Sequence, residues 1–127
     1  ILERAAAERY RGWAEAVPEY KIGLLACAAR EDEIASKIDA LIHSPPEHRE
    51  TVDDLMVLAK KAYFGVFENL SVIDQLTIQA AGERQGARAW PALIPDHPFI
   101  AQQLEALSMI ELASADYLDN ILNQMRK

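Results

Sequence analysis

Apolar side chains recur at spacings of three and four along nearly the whole chain, and prolines break that rhythm at only a few places. A period near 3.6 puts one apolar stripe on each helix, whereas a half-buried strand would alternate with period two. No stretch alternates that way, so the pattern predicts an all-α fold. In residues 1–17 the stripe is Leu2, Ala6, Tyr10, Trp13 and Val17. It continues in phase through Tyr20, Leu24, Ala28, Glu31, Ala35, Ile38 and Ile42. Pro18 interrupts it, either opening a second helix at its first position or kinking a continuous one. The β-branched Val17 before it favours a break.

The adjacent prolines in HSPPEHR, residues 43–49, stop the helix. Thr51 can cap the next one, with Asp53 and Asp54 near its positive end. That helix is expected over about residues 51–82, on a stripe of Val52, Ala59, Tyr63, Val66, Leu70, Ile73, Thr77 and Ala80. Leu55, Leu58, Ala62, Val72 and Leu76 widen its apolar face, which implies more than one neighbour. Gly82 or Gly86 is expected to end it. The last helix is expected from near Pro98, with Asp96 or His97 as its cap and Ile100, Leu104, Leu107, Ser114, Leu118, Ile121 and Met125 on one face. The expectation is a four-helix bundle, or three long helices with a kinked N-terminal arm, and a long loop between the last two helices.

The 127 residues fit one helical domain, 1–127. Because the chain begins at Ile1 without Met, a cut fragment or a processed product of a longer protein is expected. The net charge of −7 disfavours nucleic acid and anionic lipid. Between Ala89 and Met125 there are acids at Asp96, Glu105, Glu111, Asp116 and Asp119 and no Lys or Arg. A protein partner, if there is one, would then be neutral or basic. Cys27 stands alone, which rules out an intrachain disulfide and fits a cytoplasmic setting. The charge and the lack of a long apolar run suggest a soluble protein.

The signatures of common chemistries are absent from the sequence. There is no HExxH, CxxC, EF-hand, phosphate-binding glycine loop or nucleophile elbow. His43, His48 and His97 all fall in or beside loops. Glu31 and Glu111 stand out because each falls on the apolar stripe of its helix. Two carboxylates facing one cavity can share a proton, bind a metal or meet a buried cation; the plainer alternative is a helix edge or an ion pair. Tyr63 and Asp74 could join them, while Asp116 and Asp119 fall on the polar face. Cys27, among alanines, reads as a buried inert thiol.

The run Ala89–Trp90–Pro91–Ala92–Leu93–Ile94, inside the expected connection 82–98, is too apolar for an idle loop. Its plainest role is a strap that closes one end of the bundle; a partner surface and a mobile lid are the other readings. The expected function is a helical protein-interaction or regulatory module without catalytic activity, binding through Trp90, Pro91, Leu93 and Ile94. The second reading is a small-molecule-binding bundle or small helical enzyme that uses Glu31 and Glu111 in an interhelical cavity, with Tyr63 and Asp74 beside them. A homodimer through the wide middle helix is a third. No cofactor and no metal ligand is assigned.

Overall fold

In a computed structural model, residues 2–41, 58 and 61–127 are described. Among the described residues every regular element is a helix or a 3-10 turn. Its residues group into two compact units, Ile1–Leu70 and Ser71–Lys127, each built around a pair of helices. The expected cap Thr51, the acids Asp53 and Asp54 beside it, and His43 and His48 lie outside the described residues.

In the first unit α1 spans Leu2–Ala16 and α2 spans Lys21–Leu41. Between them Val17 leaves the helical region, with φ −129° and ψ 76°, and Pro18–Tyr20 form a single 3-10 turn. The proline disfavours helical backbone in the residue before it, so the chain breaks there instead of kinking. The two helices run antiparallel. Arg4, near the start of α1, reaches Asp32 at 3.3 Å and Asp39 at 3.8 Å. Arg11 also pairs with Asp32, and Lys21 meets Glu15 at 3.4 Å where the chain turns. These exposed pairs each contribute roughly 0–1 kcal/mol. Burial of Ala6, Ala7, Tyr10, Trp13 and Ala14 on α1, and of Leu24, Cys27, Ala28, Ile34 and Ala35 on α2, contributes far more to the pairing.

Aromatic rings finish this unit. The Trp13 ring meets Tyr10 edge-on at 5.3 Å and Phe67 at 5.6 Å, and Tyr63 meets Phe67 at 5.1 Å. The Arg9 guanidinium lies 5.1 to 5.7 Å from the ring centres of Phe67, Trp13 and Phe64. Three ring faces stabilise a cation that would otherwise lose water on packing against apolar surface.

The expected single helix over residues 51–82 is not continuous. Residues 61–65 are helical, 66–69 turn, and a new helix starts at Val72. Two local preferences explain the break. Asn69 takes a φ of 63°, a left-handed conformation that asparagine tolerates better than most residues. Ser71 then caps the new helix, its Oγ accepting from the Asp74 N–H at 3.1 Å. The signal was present as Asn-Leu-Ser-x-x-Asp, but the apolar periodicity runs through it unbroken.

In the second unit α3 spans Val72–Ala92 and α4 spans Ala101–Met125. Helix α3 passes through Gly82, Gly86 and Pro91, so neither glycine ends it. The connection is residues 93–100, shorter than expected. It consists of two 3-10 turns, Ile94–Asp96 and Pro98–Ile100, each with a proline in its opening positions, where a missing N–H costs nothing. The last helix therefore starts later than expected, with Ile100 and not Asp96 or His97 at its N-cap; His97 only precedes the second 3-10 turn and makes no side-chain capping bond.

Helices α3 and α4 are antiparallel. Arg126 Nη2 donates to Thr77 Oγ1 at 2.7 Å, Arg84 pairs with Asp119, and the Trp90 indole reaches Glu111. The buried seam of α4 is Leu104, Leu107, Glu111, Ser114, Leu118 and Ile121, a strict alternation of threes and fours.

Pro91 inside α3 needs a separate explanation. A proline within a helix has no N–H to give the carbonyl four residues back, which here is Ala87. The Ser108 hydroxyl of α4 donates to that Ala87 carbonyl at 2.5 Å. The partner helix thereby supplies the hydrogen bond the proline removes, and α3 continues to Ala92.

Candidate functional site

Helix α3 buries Leu76, Gln79, Ala80, Glu83 and Ala87, and α4 buries Glu111 among leucines. Glu83 is 2% exposed and Glu111 7%. A carboxylate oxygen of Glu83 and one of Glu111 lie within 4.8 Å of each other. Acidic side chains almost never occupy such positions without compensation, since removing a carboxylate from water costs several kcal/mol. Were both ionised, two unit charges at this distance would repel by about 3 kcal/mol at an effective dielectric constant of about 20.

Neighbouring side chains fix where the two carboxylates point. Gln79, one turn before Glu83 on α3, donates from Nε2 to Glu83 Oε1 at 2.9 Å. Trp90 donates from Nε1 to Glu111 Oε2 at 2.8 Å. Both of these donors are neutral side chains, and they orient the oxygens they hold. Gly86 provides the space. A β-carbon placed there would stand 2.2 Å from Glu111 Oε2, 2.6 Å from its Cδ and 2.7 Å from Oε1. The carboxylate therefore occupies the volume that any other residue at position 86 would fill. Glycine serves here for close approach and not as a helix terminator.

Glu83 is not among the residues expected from the sequence, since it falls at the expected end of the middle helix, between Gly82 and Gly86. Carrying the stripe on from Leu76 and Ala80 at the same spacing reaches Glu83 and Ala87. Glu111 is buried on its stripe as expected. Glu31 is likewise buried at the corresponding position of α2, in the first unit, 3% exposed. Asp74 does not join the acidic pair. It is exposed in the first turn of α3, where its charge faces the positive helix end. Tyr63 belongs to the aromatic cluster of the first unit. Asp116 is exposed, and Asp119 is half-buried beside Arg84.

Of the expected protein-binding residues, Trp90 and Pro91 lie in the last turn of α3, half-buried, with the indole N–H turned toward α4. Leu93 is exposed and Ile94 half-buried in the 3-10 connection. Trp90 thus acts on the interior carboxylate as well as on packing. Cys27 is fully buried and accepts from Arg30 Nη2 at 3.2 Å. Among the described residues no helix is long and apolar enough to cross a membrane. Compared with known proteins, the chain matches no family model, no curated protein and no solved structure.

Proposed function

We propose that the chain is a helical binding domain whose interior acids, Glu83 and Glu111, take a divalent cation. One observation carries this reading: two buried carboxylates with oxygens within 4.8 Å, each oriented by a neutral donor. A cation between them would remove their mutual repulsion and offset part of the cost of burying them. The donors are oxygens, which suit magnesium, calcium or manganese better than thiophilic metals. Trp90 and Gln79 would act as the outer groups that set the carboxylates' orientation. A cytoplasmic setting is part of the proposal, supported by the lone buried thiol of Cys27.

The test uses terbium(III), an oxygen-seeking ion whose emission is sensitised by a nearby indole, which Trp90 provides. Saturable binding is expected, with competition by calcium or manganese. Glu83→Gln and Glu111→Gln should each weaken it by roughly tenfold or more, a change of about 1.4 kcal/mol. Exposed-acid controls Glu105→Gln and Asp116→Asn should leave it unchanged. Equal binding by the interior and control variants would refute the proposal. Glu31→Gln, in the same titration, tests the sequence-based expectation that Glu31 serves the same ligand.

A further inference from the structure

The outward face of α4 carries a second pattern, independent of the interior acids. Gln102, Glu105, Met109, Leu112 and Asp116 are all exposed and follow one another at spacings of three and four. They form a stripe on the helix surface. Its centre is apolar: Met109 is 72% exposed and Leu112 44%. One turn beyond each end of that centre stands an acid, Glu105 before and Asp116 after. No Lys or Arg occurs anywhere from Ala89 to Met125 to neutralise them. Met109 and Leu112 are adjacent on the helix, and methionine adapts to irregular partner surfaces.

We infer that this stripe docks an amphipathic helix of basic character, with apolar residues at three- and four-residue spacing and Lys or Arg one turn to either side. Charge decides between occupants. A second copy of the chain laid antiparallel on the stripe would set Glu105 against Asp116. Laid parallel, it would set Glu105 against Glu105. Either arrangement brings like charges together beside a small apolar contact, which costs affinity. An anionic membrane is repelled for the same reason. A basic helix meets both acids favourably while covering Met109 and Leu112.

The probe is a labelled synthetic peptide of about 20 residues, beyond the length at which isolated helices are marginal, with leucine at the apolar positions and lysine elsewhere. Its partner control has glutamate in place of lysine. Fluorescence anisotropy with the full chain should give saturable binding of the lysine peptide that weakens with salt, and none of the glutamate peptide. The double variant Met109→Ser/Leu112→Ser should weaken binding by about tenfold, and Glu105→Gln/Asp116→Asn by about threefold with a shallower salt dependence. All these positions are exposed, so the far-UV circular dichroism melt should not change. The inference is overturned if the lysine peptide fails to bind, or binds the Met109→Ser/Leu112→Ser protein as tightly as the parent. It is overturned equally if sedimentation shows self-association that this variant abolishes, since the occupant would then be a second copy.

Discussion

Gly82 and Gly86 lie one turn apart on α3, and the structure predicts opposite outcomes for the same substitution. An alanine β-carbon at position 82 meets nothing within 4 Å. Gly82→Ala should therefore gain only the helix-forming preference of alanine, about 0.5–1 kcal/mol of stability. At position 86 the new carbon would stand 2.2 Å from Glu111 Oε2. Ordinary contact needs well over 3 Å, so the carboxylate must retreat by roughly 1 Å or more. It would then lose the 2.8 Å hydrogen bond from Trp90 Nε1. A hydrogen bond to a charged group contributes about 1.5–3 kcal/mol, which outweighs the helical gain. Gly86→Ala should thus lower stability by about 0.5–2 kcal/mol. Urea unfolding followed by circular dichroism measures both variants. In a Trp13→Phe background, Trp90 emission reports the lost contact directly. The decisive control is Gly86→Ala on top of Glu111→Ala: with the carboxylate gone, the β-carbon has room and the substitution should stabilise as at position 82. If Gly86→Ala stabilises the parent protein as much as Gly82→Ala does, Glu111 is not held over Gly86 and the site geometry described above is wrong.

Two further outcomes follow from individual contacts. Ser108→Ala should cost about 1–3 kcal/mol, because it strands the Ala87 carbonyl beside Pro91. In a Pro91→Ala background the helical N–H returns, and the same substitution should cost less than half as much; equal costs in the two backgrounds would disprove the compensation. Arg9→Met should keep the packing of the stem but lose the cation over three rings, lowering stability by about 1–2 kcal/mol in thermal melts, with Arg9→Lys intermediate.

Helix type and burial were largely legible in the sequence, because a 3.6-residue period states which face of a helix is covered. On α4 the reading holds for Leu104, Leu107, Ser114, Leu118 and Ile121, but Ile100 and Met125 are only half-buried, and Ala115 and Leu122 are buried without having been on the expected face; the break at Val17–Pro18 is as expected. Glu111 could be found the same way, as a charge on an apolar stripe. What the period cannot express is local backbone choice. Asn69 and Ser71 end one helix and begin another without disturbing the apolar spacing, so the break was invisible to it. The converse happened at Gly82, Gly86 and Pro91, where residues that usually stop helices do not. At Gly86 a carboxylate from α4 fills the space a side chain would need, and at Pro91 a hydroxyl from α4 supplies the hydrogen bond the ring removes. Both groups are contributed by residues far along the chain, and no local reading of α3 contains them. Glu83 was hidden for a related reason: with the helix expected to end at Gly82 or Gly86, it falls at a helix end and not within a buried seam.

The Ser108–Ala87 bond also settles which of several near-equivalent alignments the two helices adopt. The seam of α4 repeats every seven residues, so on apolar grounds alone α4 could slide along α3 by that step and still present leucine and small residues. A slide in either direction brings Ala101 or Ala115 to the place of Ser108, and Leu104 or Leu118 to the place of Glu111. None of these side chains can donate to the Ala87 carbonyl or accept from the Trp90 indole. Each slipped alignment would leave both groups stranded, at roughly 1–3 kcal/mol apiece. A proline that weakens α3 in isolation thus acts, in the assembled pair, as a key that fits α4 in one position only.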